Sequence, residues 1–389
     1  MRKKQVYAII YKFISFMEKH KRCMKRNKPL LITVSILAGG LITVSAVSAY
    51  AFAKSNDGRS SHQKTTTSIS RTKAQPKPAM KTSKSKPAAE TKPRPQTPSQ
   101  APVPAVVTAP TGAGAFRGLK LYVPPQEVGR MYGKMAGKSI AQWFGDWTPQ
   151  PREMAAQTVS RANAAGQLAV LVAYNIPIRD CNGYSAGGAV SDVVYSKWIG
   201  DLAAGIGRNR AIVILEPDAL GHLDCLSAVQ QASRLKLLSD AVTTLRSQTS
   251  ASIYIDAGNP RWKPAGVIVA ALLKANVQAA DGFALNVSNF YSTSENVSYG
   301  NAVSALTGGK HYVVDTSRNG NGPAADLQWC NPPGRALGNP PTTETGQPLV
   351  DAYLWVKVPG ESDGNCNGHP VAGEWSQAYA DELMRNAAW

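Results

Sequence analysis

Glu216 and Asp218 flank Pro217 directly after an unbroken apolar run rich in β-branched residues, Ala211 to Leu215. Such a run reads as a strand buried on both faces. Proline has no amide hydrogen to give a neighbouring strand, so the chain must leave the sheet there, carrying two carboxylates just past the strand's carboxyl end. Open α/β sheets and α/β barrels bind ligands at that end. A carboxyl beside a hydrophobic core resists ionisation, which is what a proton donor working near neutrality needs. Taken alone, the tripeptide would serve equally well as a turn whose acids cap the next helix.

Other apolar runs are followed by polar clusters of the same kind. They are Asn175 to Asp180; Asp256 and Asn259; Asn286 and Asn289; Asp315, Arg318 and Asn319; and Lys357, Glu361 and Asp363. A single Asn or Asp in such a place is usually a turn residue. Six clusters in succession ask for a common pocket. Trp143, Trp147, Trp262 and Trp329 add aromatic faces, and tryptophans in loops can stack on sugar rings, whereas Trp355 and Trp375 read as core. No third spaced glycine follows Gly205-x-Gly207 or Gly112-x-Gly114, and neither GxxxxGK[ST] nor GxSxG occurs, so no nucleotide cofactor and no serine nucleophile are expected. The histidines His222, His311 and His369 are scattered and no CxxC or HxxxH spacing occurs, so no metal is expected. The chemistry is left to carboxylates.

The elements that would position these groups alternate regularly. Strands are predicted at Leu119 to Val123, Leu168 to Tyr174, Ala211 to Leu215, Ser252 to Asp256, Gly282 to Leu285, Tyr312 to Asp315 and Tyr353 to Lys357. Helices are predicted at Pro151 to Ala165, Ser191 to Ile206, Ser227 to Arg246, Pro264 to Ala275, Tyr299 to Leu306 and Ser376 to Ala388. This alternation implies a parallel sheet in one α/β domain, either a barrel or a doubly wound open sheet. The polar clusters favour the barrel, where strand ends surround one pocket.

The formal charge of +18 is unevenly placed. Residues 1–115 hold 21 Lys and Arg against 3 Asp and Glu, and the remaining 274 residues balance 22 against 22. The body is therefore not basic, and no nucleic-acid partner is expected. Residues 1–29 form a basic leader that would stay cytoplasmic, and residues 30–53 run 24 positions without a charge. Ala51-Phe52-Ala53 suits a signal-peptidase site; uncleaved, the run would be a membrane anchor, and the only membrane contact. Residues 54–115, rich in Ser, Thr, Lys, Pro and Ala, read as a disordered linker, and residues 116–389 as the functional domain. Either way the body lies outside the cytoplasm, secreted or on the extracellular face. Cys181, Cys225, Cys330 and Cys366 then suit two disulfides, with three possible pairings.

Seven stretches together resemble glycoside hydrolase family 6. They are YNIPIRDC from Tyr174, VILEPDALGHL from Val213, YIDAGN from Tyr254, FALNVSNF from Phe283, DTSRNG from Asp315, QWCNP from Gln328 and LWVKVPGESDG from Leu354. The resemblance implies a cellulase of the bacterial endo-β-1,4-glucanase type on a distorted seven-stranded parallel (β/α) barrel, TIM-barrel-like, inverting the anomeric carbon of a β-1,4-glucan. It implies Asp218 as general acid, Asp180 as the aspartate keeping Asp218 protonated, Asp363 as base acting directly or through water, and Tyr174 beside the distorted sugar. Trp262, Asn259, Asn289, Trp329, Lys357 and Glu361 would bind sugar, although Asn259 stands where many members carry His; Asp256 would support the network. It implies the disulfides Cys181–Cys225 and Cys330–Cys366, no cofactor, and a monomer. Only Pro332 to Tyr353 fills the interval in which exo-acting members carry a roof over the cleft, so endo action is expected. The alternatives are a cellobiohydrolase, a catalytically silent glucan-binding wall protein, or a polybasic surface protein whose body is incidental.

Overall fold

The computed structural model of the chain describes residues 31–36, 42–47, 116–125 and 130–389. Two compact units, Met1–Pro98 and Ser99–Trp389, divide it. In the first, β1 (Leu31–Ile36) and β2 (Ile42–Val47) pair antiparallel, Leu31 opposite Val47 and Ile36 opposite Ile42. Their Ile, Val and Thr content suits extended backbone. The rest of the uncharged run, the basic leader and the linker lie outside the described residues. Among the described residues no helix is long and apolar enough to cross a membrane.

The second unit alternates strand and helix. Its elements are β3 (Lys120–Leu121), β4 (Gln142–Phe144), α1 (Pro151–Ala164), β5 (Gln167–Ala173), α2 (Asp192–Ile206), β6 (Ala211–Leu215), α3 (Ala228–Gln248), β7 (Ser252–Asp256), α4 (Ala265–Lys274), β8 (Gly282–Leu285), α5 (Thr293–Leu306), β9 (His311–Asp315), β10 (Val350–Leu354) and α6 (Gln377–Asn386). All its strands are parallel, in the order β10-β9-β8-β7-β6-β5-β3. β4 shares the outer edge of β5 with β3: β3 pairs at Gln167 and Leu168, β4 at Leu171 to Ala173. The two short strands thus fill one position, and the sheet has seven.

The sheet curls until its edges meet without a ladder. Ala141 N donates to Trp355 O at 3.0 Å, and Trp143 Nε1 to Val356 O at 2.8 Å. Successive strand residues point to opposite faces. Val170, Val172, Ile212, Ile214, Tyr254, Val313 and Leu354 fill the inside of the barrel, while Leu171, Val213, Leu215, Ile253, Phe283 and Val314 pack outward against the helices. Both faces are buried, which is why the strands read as continuous apolar runs rather than alternating ones.

β3 is shorter than the expected Leu119 to Val123, and three further elements differ from expectation. β10 spans Val350–Leu354 rather than Tyr353 to Lys357, so it begins and ends three residues early; it stops at Leu354 because the amides of Val356 and Lys357 donate to the Asp315 carboxylate at 3.3 and 3.0 Å and so leave the ladder. α5 begins at Thr293, six residues before the expected Tyr299, where Ser292 and Glu295 form a reciprocal capping box that was legible in the sequence. β4, three residues long, was not expected.

Candidate active site

The site is built on the carboxyl ends of the strands. β6 leaves the sheet through Glu216 and Asp218, which both adopt left-handed backbone, φ 51° and 68°. Glu216 is fully buried, and its carboxylate accepts the amides of Asn175 at 2.9 and 3.1 Å and Ile176 at 3.0 Å. It therefore ties the exit of β5 to that of β6. Burial pushes its pKa up to about 7, against the lowering effect of those amides.

Asp218 is half-buried. Its amide donates to Asp256 Oδ1 at 3.0 Å, and its Oδ2 accepts the Tyr174 hydroxyl at 3.3 Å. Burial raises its pKa to about 6; His222 opposes the rise and Asp180 adds to it. Tyr174 is kept a neutral phenol by its own burial, then by the charges of Asp218 and Asp180. Asp256 is pushed well above the usual carboxylate range by burial, then by Asp218.

Asp180 lies in a stretch where Ile178, Asp180, Cys181 and Asn182 all have φ between 45° and 70°. For a β-branched residue such as Ile178 that conformation is strained, and such strain clusters at functional sites. The stretch is held from every side. Asp180 Oδ2 accepts the Ser185 amide at 2.6 Å, and its Oδ1 lies 3.5 Å from His222 Nε2. Arg179 donates to Tyr174 O and Asp146, and stacks over the rings of Tyr174 and Trp147 at 4.6 and 5.0 Å. Arg234, buried on α3, donates to the carbonyls of Pro177 and Ile178 at 2.8 and 2.7 Å and to Ala219 O at 3.3 Å, so it grips both acid-bearing loops. The Cys181–Cys225 disulfide joins the same two loops.

Asp363 stands in a separate group of buried charges. Its Oδ2 accepts Arg318 Nη1 at 2.8 Å and the Asn331 amide at 3.0 Å, while Oδ1 faces Lys357 Nζ at 3.7 Å. Asn331 returns the bond, its Oδ1 accepting the Asp363 amide at 2.7 Å. The Cys330–Cys366 disulfide flanks this pair of loops. Beneath it, Asp315 accepts the amides of Ser288, Ser317 and Lys357, each within 3.0 Å, and so fixes three loops at once.

A cavity of about 1250 Å³ is lined by Tyr174, Asp180, Asp218 and Asp363, and also by Asn259, Trp262, Asn289, Trp329, Lys357 and Glu361. All ten residues singled out from sequence as catalytic or sugar-binding thus surround one cleft. Trp262 lies flat over Gly221, where a Cβ would come within 2.6 Å of the ring. The Oδ1 of Asn259 accepts the Arg261 amide at 3.1 Å and that of Asn289 the Phe290 amide at 3.3 Å, so each side chain also shapes its own turn. Glu361 accepts Arg130 Nη2 at 3.0 Å, and Lys357 Nζ donates to Ser362 O at 3.1 Å. Trp329 is half exposed and meets Tyr184 from the Asp180 loop, with ring centroids 5.9 Å apart. The sequence places Arg318 in a polar cluster without giving it the Asp363 carboxylate, and it assigns no role in the site to Asn331, Tyr184, His222 or Arg234. Only their long-range partners mark them. Cys181, His222 and Cys225 bring ligand atoms within 4.8 Å of one another, but both sulfurs are engaged in the disulfide.

A parallel β/α barrel with carboxylates from different strand ends facing an aromatic-lined cleft defines a carbohydrate-active hydrolase class. The chain belongs to the glycosyl hydrolases family 6, whose pattern matches residues 126–387. It is 44% identical to Endoglucanase A of Cellulomonas fimi over 259 residues, covering 66% of this chain and 56% of the relative, so it spans little more than half of that protein's length. The structure of endoglucanase Cel6 from Mycobacterium tuberculosis, solved with a methyl-cellobiosyl-4-deoxy-4-thio-β-D-cellobioside, superposes with a TM-score of 0.66 at 44% identity, over 70% of this chain and 98% of that one. The catalytic core of cellobiohydrolase Cel6A from Chaetomium thermophilum superposes with a TM-score of 0.61 at 26% identity, over 70% and 98%.

Proposed function

We propose that this protein hydrolyses internal β-1,4-glucosidic bonds of cellulose or a related β-glucan with inversion, Asp218 acting as general acid. The observation that carries this reading is geometric: Asp218 and Asp363, from the ends of different strands, line one open cleft with Tyr174 and Asp180, and burial at that place raises the pKa of Asp218 to about 6. A carboxyl still protonated near neutrality can give its proton to the departing glycosidic oxygen. Asp180, on the strapped loop beside it, adds negative charge that opposes loss of that proton and favours the developing oxocarbenium ion. Tyr174 supports the acid from the cleft floor.

Inversion needs a second carboxylate far enough away to admit a water, roughly 6.5–9.5 Å in this class of enzyme. Asp363 comes from the loop after β10, whereas Asp218 follows β6. Arg318 and the Asn331 amide occupy Oδ2 of Asp363 and aim the group, so Oδ1 is the oxygen that takes a water's proton, directly or through a second water. Trp262 and Trp329 provide stacking faces, and Asn259, Asn289, Lys357 and Glu361 bond sugar hydroxyls. Export to an oxidising compartment fits the two disulfides.

Endo action is supported by where residues 332–349 go. Leu337 N donates to Leu383 O at 3.1 Å, Thr343 Oγ1 to Leu119 O at 3.0 Å, and Thr342 bridges to Tyr353, so this stretch packs along the barrel. None of it lines the cavity. The higher identity to endoglucanases than to the cellobiohydrolase points the same way. Carboxymethylcellulose viscosity should fall steeply for few new reducing ends. A slow fall for the same release would turn the assignment to exo action, and binding without any release would support the silent glucan-binding reading.

A further inference from the structure

His222 is cleft-lining, half-buried and unused by the mechanism above. It lies one turn beyond the acid: its amide donates to Asp218 O at 2.9 Å, and its carbonyl accepts the Cys225 amide at 3.3 Å, next to the disulfide that joins the two loops. The backbone therefore fixes the main chain of His222 with respect to Asp218, and the ring's own contacts place it beside Asp180. Nε2 stands 3.5 Å from Asp180 Oδ1, and the ring meets Trp262 edge-on at 4.8 Å. From its own turn it also faces Asp218 and Asp224, and Asp224 is already paired with Lys263 of the loop after β7 at 2.7 Å.

We infer that His222 is the positioning residue that sets the upper pH limit of the reaction, by pairing as imidazolium with Asp180 and offsetting the charge that Asp180 presents to Asp218. The inference rests on the assignment of Asp218 as acid. Asp180 alone would hold the proton on Asp218 to high pH and make it a reluctant donor. An imidazolium against Asp180 reduces that field, so Asp218 ionises at lower pH and donates more readily. The opposing influences of His222 and Asp180 on Asp218 agree in sign with this geometry.

The test is the pH dependence of kcat on a soluble β-1,4-glucan for the full chain carrying His222→Gln or His222→Lys. Gln keeps a donor toward Asp180 without charge, so the alkaline limb should move upward by roughly half a pH unit. Lys keeps a positive charge, so its limb should stay at or below the wild-type position. A limb unmoved or lowered in His222→Gln, or a Lys variant that moves upward with Gln, overturns the inference. If the Gln chain does not fold, His222→Ala carries the same expectation. Asp218→Asn separates the two levels. If it keeps full hydrolysis, the acid assignment itself fails; if it abolishes hydrolysis while the His222→Gln limb stays in place, only the role of His222 fails.

Discussion

Asp218, the proposed general acid, shows how one residue's surroundings change the acidity of a common side chain. Burial among the ends of β5, β6 and β7 opposes its ionisation, and the amide bond to Asp256 holds its backbone in a left-handed conformation. Replacing it with Asn keeps the shape and removes the proton. Asp218→Asn should therefore lower kcat on natural β-glucans by about 10²–10⁴-fold with little change in KM, measured by reducing-end release. The same raised pKa values make a stability prediction. Asp218 and Glu216 both favour the protonated form in the fold, so their contribution is complete below the ordinary carboxylate values, 3.8 and 4.5, and is lost as pH rises through about 6 and about 7. Thermal unfolding should thus show Tm falling between about pH 4 and about pH 7, and Asp218→Asn should flatten the part of that fall below about pH 6. The importance of the Glu-Pro-Asp triplet was legible in sequence because a buried strand ending in proline forces its acids to the rim. The partners that tune it were not. His222, Arg234 and Asn331 act through contacts 32 to 57 residues distant, which no local pattern reports.

At the scale of elements, the site depends on loops being held more tightly than loops usually are. Arg234 reaches from α3 to three carbonyls on two loops, and deleting it leaves buried acceptors without donors, at about 1–3 kcal/mol for each. Arg234→Met should lower Tm and reduce kcat together, because the spacing of Asp180 and Asp218 is set through those loops. Each disulfide closes a segment of similar length, with separations of 44 and 36 residues, and reducing each should cost about 2–4 kcal/mol. Unfolding with and without reductant, alongside activity, checks this; opening Cys181–Cys225 should loosen the acid as well as the fold. The strands were readable because burial on both faces leaves continuous apolar runs. β10 was misplaced for an instructive reason: Trp355 and Val356 are apolar and buried, yet their segment has left the ladder for the Asp315 carboxylate, and composition does not distinguish the two kinds of burial. The start of α5 lay in plain view in Ser292 and Glu295, where capping chemistry rather than hydrophobic pattern marks the boundary.

For the whole molecule, the division of charge between residues 1–115 and the balanced remainder separates placement from chemistry. The barrel brings together side chains that the sequence scatters from Tyr174 to Asp363, and no single motif contains the site. Its curled, unlaced edges meet at Ala141 and Trp355, beside the cleft. Residues 332–349 lie along the barrel and do not line that cleft, which is what the proposed endo action requires. What unifies these features under the proposed function is a displacement by water across the anomeric carbon, with acid and base on opposite sides of the bond. The most direct test is proton NMR of the anomeric signals during the first minutes of cello-oligosaccharide hydrolysis by the full chain. The new reducing end should appear first as the α-anomer and relax to the equilibrium mixture by mutarotation. Initial appearance of the β-anomer would show retention, and would contradict the roles assigned to Asp218 and Asp363.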